Sequence, residues 1–157
     1  MKVKKQNGIT LVALIITIVI MLILVGVVMY FGEDAIDTAK LEDIKANMFS
    51  IKTRAKIVAD KYNFKDIENL VGTKYTEDTI HDKQKLESVF STFTDEQKSY
   101  LYIWTQEDLN NNGLNSIKVD TQSFYVVYYN LGETNSCQIY YSNGYQEKYS
   151  LTDLQDM

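Results

Sequence analysis

Residues 4–37 read KKQNGITLVALIITIVIMLILVGVVMYFGEDAID. From Ile9 to Phe31 the run is apolar except for Thr10, Thr17, Gly26 and Tyr30. As a helix rising ~1.5 Å per residue it reaches roughly 35 Å, past the ~30 Å hydrocarbon core of a bilayer. A cleavable secretory signal has an apolar region of about 7–15 residues and then a small-x-small site. This run is longer and ends in Met29-Tyr30-Phe31-Gly32-Glu33. Lys2, Lys4 and Lys5 precede it, and Glu33, Asp34 and Asp37 follow it. The positive-inside bias therefore predicts a single-pass cell-membrane protein, with its N-terminus in the cytoplasm and its C-terminal part outside.

A basic leader closing on Gly8, then Ile9-Thr10-Leu11 opening a continuous apolar helix, resembles the type III signal of type IV prepilins and pseudopilins. The resemblance implies that a prepilin peptidase cuts between Gly8 and Ile9, that the new amine of Ile9 is methylated, and that the helix stays as an anchor. Residues 1–8 would then be a leader peptide and 9–31 the transmembrane, filament-core half of helix 1. Residues 32–62 would be its amphipathic half, and 63–157 an extracellular globular head. Most members carry Glu where this chain has Ala13. In the family's assembly scheme that carboxylate pairs with the N-terminal amine of the previously added subunit, which at an effective dielectric of about 20 gains roughly 4 kcal/mol at contact. Its loss fits a minor subunit at a filament tip, or a local habit of Gram-positive, clostridia-type pilin-like proteins. The alternative is an ordinary signal-anchor, which accounts for the apolar run and the lysines but not for the Gly-Ile-Thr-Leu junction.

Beyond the apolar run, Leu41, Ile44, Met48, Ile51, Ala55, Val58 and Tyr62 recur at spacings of three and four, with Lys40, Lys45, Lys52, Lys56 and Lys61 on other faces. That is an amphipathic helix. No proline interrupts it, so Ile9 to about Tyr62 can form one helix of roughly 80 Å. A coiled-coil seam has the same spacing and is the alternative.

The remainder supplies a sheet. Residues 63–85 are polar and read as a loop with a turn or two of helix around Asp66–Val71, and Lys85–Thr94 as a short helix. Residues 100–105, 123–129 and 137–141 are rich in aromatic and β-branched side chains and read as strands, with 146–150 as a possible fourth. Asn130–Asn135 and Ser142-Asn143-Gly144 supply the turns. The fold class is α+β and pilin-like: a long N-terminal helix packed on a small antiparallel meander of three to four strands. The tyrosines between Tyr100 and Tyr149 exceed what a small core needs, which suits either subunit packing or a half-wet sheet. YIWTQEDLNNNGLNSI and FYVVYYNLGETNSCQIYYSNGYQEKYSLTDL are also similar to the C-terminal pattern of Gram-positive pilin-like heads.

Asp108, Asn110, Asn112 and Gly113 copy the first half of a calcium loop, but Val119 stands where the bidentate Glu belongs. Some pseudopilins bind calcium in the head; a helix 106–111 ended by Gly113 in a left-handed cap needs no ion. No other cofactor is indicated. His81, the one histidine, sits in a polar loop beside Asp82, and Cys137, the one cysteine, lies in a strand, so the sequence brings together neither a Cys-His site nor a zinc site; a lone Cys leaves no intramolecular disulfide, and the chain does not read as an enzyme. Net charge −5, falling by loss of the three leader lysines to −8, argues against nucleic acid as a partner. Two classes of function remain. One is a structural subunit of a type IV pilus or of a secretion or competence pseudopilus, with prepilin peptidase and other pilin subunits as partners. The other is a single-pass anchored extracellular binding or adhesion domain that does not polymerise.

Overall fold

The computed structural model describes residues 11–76, 84–120, 123–132 and 136–157. Lys2, Lys4, Lys5, Gly8, Ile9 and His81 lie outside the described residues. The protein is α+β, with a long N-terminal helix and a five-stranded antiparallel sheet. It divides into two compact units, Met1–Lys40 and Leu41–Met157.

Helix α1 runs over Leu11–Asn63. From Leu11 to Phe31 it is apolar on every side apart from Thr17, Gly26 and Tyr30, a pattern a membrane-spanning helix would have. In the second unit it is amphipathic. Met48, Ile51, Ala55, Val58 and Ala59 are buried and share one core with Tyr125, Val127, Tyr129, Cys137 and Ile139. The stripe that could have been a coiled-coil seam is thus covered by the unit's own sheet. Without a glycine, α1 stops in a Schellman turn: Lys65 N–H donates to Tyr62 O at 3.0 Å and Asp66 N–H to Lys61 O at 2.9 Å. Lys65 takes the left-handed conformation this requires, at φ 60°.

The other elements are β1 (Thr73–Lys74), α2 (Gln84–Phe90), α3 (Asp95–Lys98), β2 (Leu101–Trp104), α4 (Gln106–Asn111), β3 (Tyr125–Asn130), β4 (Ser136–Tyr145), β5 (Lys148–Ser150) and α5 (Leu151–Gln155). The strands follow chain order, β1-β2-β3-β4-β5, and every pairing is antiparallel. Leu101 faces Tyr128, and Tyr125 faces Tyr141.

Several expectations change. The segment 66–71 is a succession of turns rather than helix, and Thr73–Lys74 is a strand, placed by Gly72 at φ 108° beside β2. The helix expected over 85–94 ends at Phe90, and a separate short helix, α3, begins beyond it, where the Thr94 hydroxyl accepts from Gln97 N–H while the Gln97 side chain accepts from Thr94 N–H. Ser142-Asn143-Gly144 is no turn; it is an irregular stretch inside β4, and the reversal falls at Gln146 and Glu147, with φ 47° and 62°. Positive φ at both central residues gives a two-residue hairpin the twist its strands need. The second face of the sheet is not wet. Leu101, Val126, Tyr128 and Tyr140 form a second core there with Leu86 and Phe90 of α2. Between Tyr100 and Tyr149 no tyrosine is fully exposed, so the surplus rings fill two cores.

Candidate functional site: the uncovered apolar helix

Every described residue from Leu11 to Phe31 is exposed, the large apolar side chains from 73% at Leu11 to 48% at Val19 and Val27. A side chain such as Leu or Ile gains ~1.5–3 kcal/mol when fully buried, so each of these forgoes on the order of 1 kcal/mol in water. Among the described residues this is one helix long and apolar enough to cross a membrane. Thr17 is compatible with such a medium because its hydroxyl donates to Leu14 O at 2.8 Å, leaving no polar group for lipid to satisfy. Tyr30 and Phe31 meet edge to face at 5.7 Å at the end of the run, where aromatic side chains suit a membrane–water boundary. Ala13 is exposed near the start of this surface, offering a methyl group where a carboxylate was the family's expectation. Gly8 and Ile9, the expected processing pair, and the leader lysines are outside the described residues.

The expected calcium donors do not converge. Asp108 and Asn110 are two positions apart on α4, about 200° around the helix. The Asp108 carboxylate accepts from Thr105 N–H at 2.8 Å and Thr105 Oγ1–H at 2.7 Å, closing a capping box. Asn110 Oδ1 accepts from Gln106 Nε2 at 3.0 Å, and Asn112 Nδ2 donates to Asp108 O at 2.8 Å. Gly113, at φ 78°, follows the helix as the cap that needs no ion.

Cys137 is buried in β4, and burial pushes its thiol up to about 11, with Asp60 adding to the rise and Lys52 and Lys56 opposing it. A protonated, buried thiol is a packing group. The buried polar centre is Tyr129, which sequence patterning did not single out. Its hydroxyl donates to Val71 O at 3.0 Å and accepts from Trp104 Nε1 at 3.0 Å, while Trp104 Nε1 also reaches Val71 O at 3.1 Å. Burial drives the Tyr129 pKa far above its usual value, so the hydroxyl remains a donor. This triangle ties the β1 approach to β2 and β3.

No protein-family model, curated protein or solved structure matches this chain.

Proposed function

We propose that the chain is a structural subunit of a type IV pilus or pseudopilus, processed by a prepilin peptidase between Gly8 and Ile9, methylated at Ile9, and assembled through its apolar N-terminal helix. The observation that carries the proposal is the wholly uncovered apolar surface of Leu11–Phe31, which demands lipid or other such helices around it. Support comes also from the second unit, where the amphipathic half of α1 is covered by an antiparallel sheet. The orientation proposed is N-terminus in the cytoplasm and sheet outside, following Lys2, Lys4 and Lys5 against Asp37. No cofactor and no catalytic step are part of this function.

Ala13 favours a place where no earlier neighbour has to be paired, such as a filament tip, so the protein is proposed as a minor subunit. The test is to shear surface filaments from cells and probe them for this chain. Low-abundance chain co-sedimenting with polymers is expected, and Ala13→Glu should raise its incorporation along the shaft. Recovery of the chain solely in the membrane fraction, with filaments present, would leave the anchored binding domain as the better description.

A further inference from the structure

At one end of β2 and β3 the second unit holds an open cavity of about 400 Å3, lined by Glu96, Gln97, Tyr100, Tyr128, Asn130 and Gly132 among others. Short local steps build it. Helix α3 passes directly into β2, with Tyr100 N–H donating to Gln97 O at 3.1 Å, and Tyr129 N–H donates to Tyr100 O at 3.0 Å, which sets the end of β3 alongside. Tyr100 is half-buried and packs against both cores, and the Tyr128 ring is held edge to face by Phe93 at 5.2 Å. The aromatic wall is therefore in place before any ligand arrives. The polar wall divides by hydrogen-bonding sense. Gln97 uses its Oε1 to accept from Thr94 N–H at 2.9 Å, leaving Nε2 to donate. Asn130 uses its Nδ2 to donate to Ser136 Oγ at 3.3 Å, leaving Oδ1 to accept. Glu96 adds an accepting carboxylate. Tyr129, which also lines the cavity, has its hydroxyl bound to Val71 O and does not offer it here.

We propose that this cavity binds a neutral pyranose sugar, the end residue of a glycan. Its chemistry excludes the other ligand classes in turn. Among the described residues Glu96 is the one charged group lining it, so no cation is there to hold a phosphate, sulfate or carboxylate. An apolar ligand would displace water from two amides and a carboxylate and pair none of them. An ammonium group donates but cannot accept, so it would suit Glu96 and Asn130 Oδ1 and leave Gln97 Nε2 without a partner. A hydroxyl does both. A ring with hydroxyls around its rim and C–H groups on its face meets all three polar groups and lays an apolar surface against tyrosine. Size agrees, since ligand sites run to ~300–1,000 Å3 and about 400 Å3 has room for one ring rather than a long chain. Gly132 keeps the polar wall open, because a Cβ there would lie 3.4 Å from Asn130 Oδ1. The site lies wholly within the second unit and stands whether or not the chain polymerises.

The test titrates the full chain in detergent with methyl glucoside, methyl galactoside, methyl mannoside and N-acetylglucosamine, following the side-chain amide resonances of Gln97 and Asn130 by NMR. At least one sugar is expected to shift both, with a dissociation constant on the order of 1 mM for so small a ligand. Glu96→Ala should weaken that binding about five- to tenfold by removing one hydrogen-bond acceptor. Gly132→Ala should weaken it by a similar factor, setting a methyl group against Asn130 Oδ1 at a position whose φ is not in the left-handed region. Phe49→Ala, exposed on α1 and no part of this cavity, should leave it unchanged. Unchanged Trp104 fluorescence verifies the folding of each variant. Three results would overturn the proposal: no shift with any of the four sugars, binding that Glu96→Ala and Gly132→Ala leave intact, or tighter binding of tetramethylammonium or inorganic phosphate at the same resonances.

Discussion

Gly72→Ala should be the most damaging small substitution in the second unit. Gly72 sits at φ 108°, a conformation L side chains rarely adopt. Strain there costs on the order of 1–3 kcal/mol. A Cβ would also lie 2.7 Å from Ile103 O and 3.0 Å from the Trp104 ring, and the first of these is strand backbone that cannot swing away. Relieving it displaces Val71, whose carbonyl accepts from both Trp104 and Tyr129, so at least one buried hydrogen bond worth ~0.5–1.5 kcal/mol weakens as well. Together these give about 3 kcal/mol, a large part of the ~5–15 kcal/mol that holds an ordinary domain together. Gly113→Ala is the control: its φ is 78° but a Cβ there meets nothing within 4 Å, so roughly 1 kcal/mol is expected. Urea unfolding of the full chain in detergent, followed by the fluorescence of Trp104, measures both. The single tryptophan stands at the affected triangle, and the apolar helix stays in its micelle. A Gly72→Ala loss no greater than that of Gly113→Ala would refute the close-approach argument.

Lys65→Gly should stabilise the second unit by ~0.5–1 kcal/mol in the same assay, because the Schellman turn at φ 60° is then formed without a Cβ penalty. Thr105→Ala should cost about 0.5–2 kcal/mol by removing both hydroxyl bonds of the α4 cap, whereas added calcium or EDTA should leave the midpoint of the unaltered chain where it is. Alkaline pH should destabilise. Burial pushes Cys137 up to about 11 and Tyr140 up to about 12, so between pH 9 and 12 these groups ionise first in the unfolded chain. The unfolded state then binds fewer protons than the native state, and stability falls with rising pH, by up to ~1.4 kcal/mol per unit for each such group. Tyr140→Phe should make the loss between pH 10 and 12 shallower; an unchanged slope would contradict the assignment.

What the sequence made legible was whatever repeats. The apolar run up to Phe31 and the three-four stripe from Leu41 to Tyr62 each hold one pattern over many residues, and α1, described from Leu11, follows both. The central strands were equally plain, since Tyr125-Val126-Val127-Tyr128 has no other good conformation than extended. Short features were not. Two-residue β1 carries no pattern and depends on Gly72 and on the neighbouring β2 edge. Asn143-Gly144 has the composition of a turn, yet the register of β4 with β5 moves the reversal to Gln146-Glu147, where context overrides preference. The tyrosines misled for a related reason. Alternation correctly divided Phe124, Val126 and Tyr128 from Tyr125, Val127 and Tyr129, but the cover for the first set comes from α2, whose short sequence Gln84–Phe90 did not announce a packing partner. The Asp108 loop shows the limit of a motif read as spacing alone. The same oxygen-bearing residues that space like calcium ligands serve a helix cap, and the Thr105-x-x-Asp108 pattern was the signal that would have found it.

The central claim, that this is a processed filament subunit, is tested most directly by the N-terminal residue of the protein taken from its own membrane, by intact mass and N-terminal fragmentation. A chain beginning at N-methylated Ile9, with Lys2, Lys4 and Lys5 gone, is the predicted result. A chain that still carries Gly8 and its leader, in a cell whose prepilin peptidase is active, would contradict it.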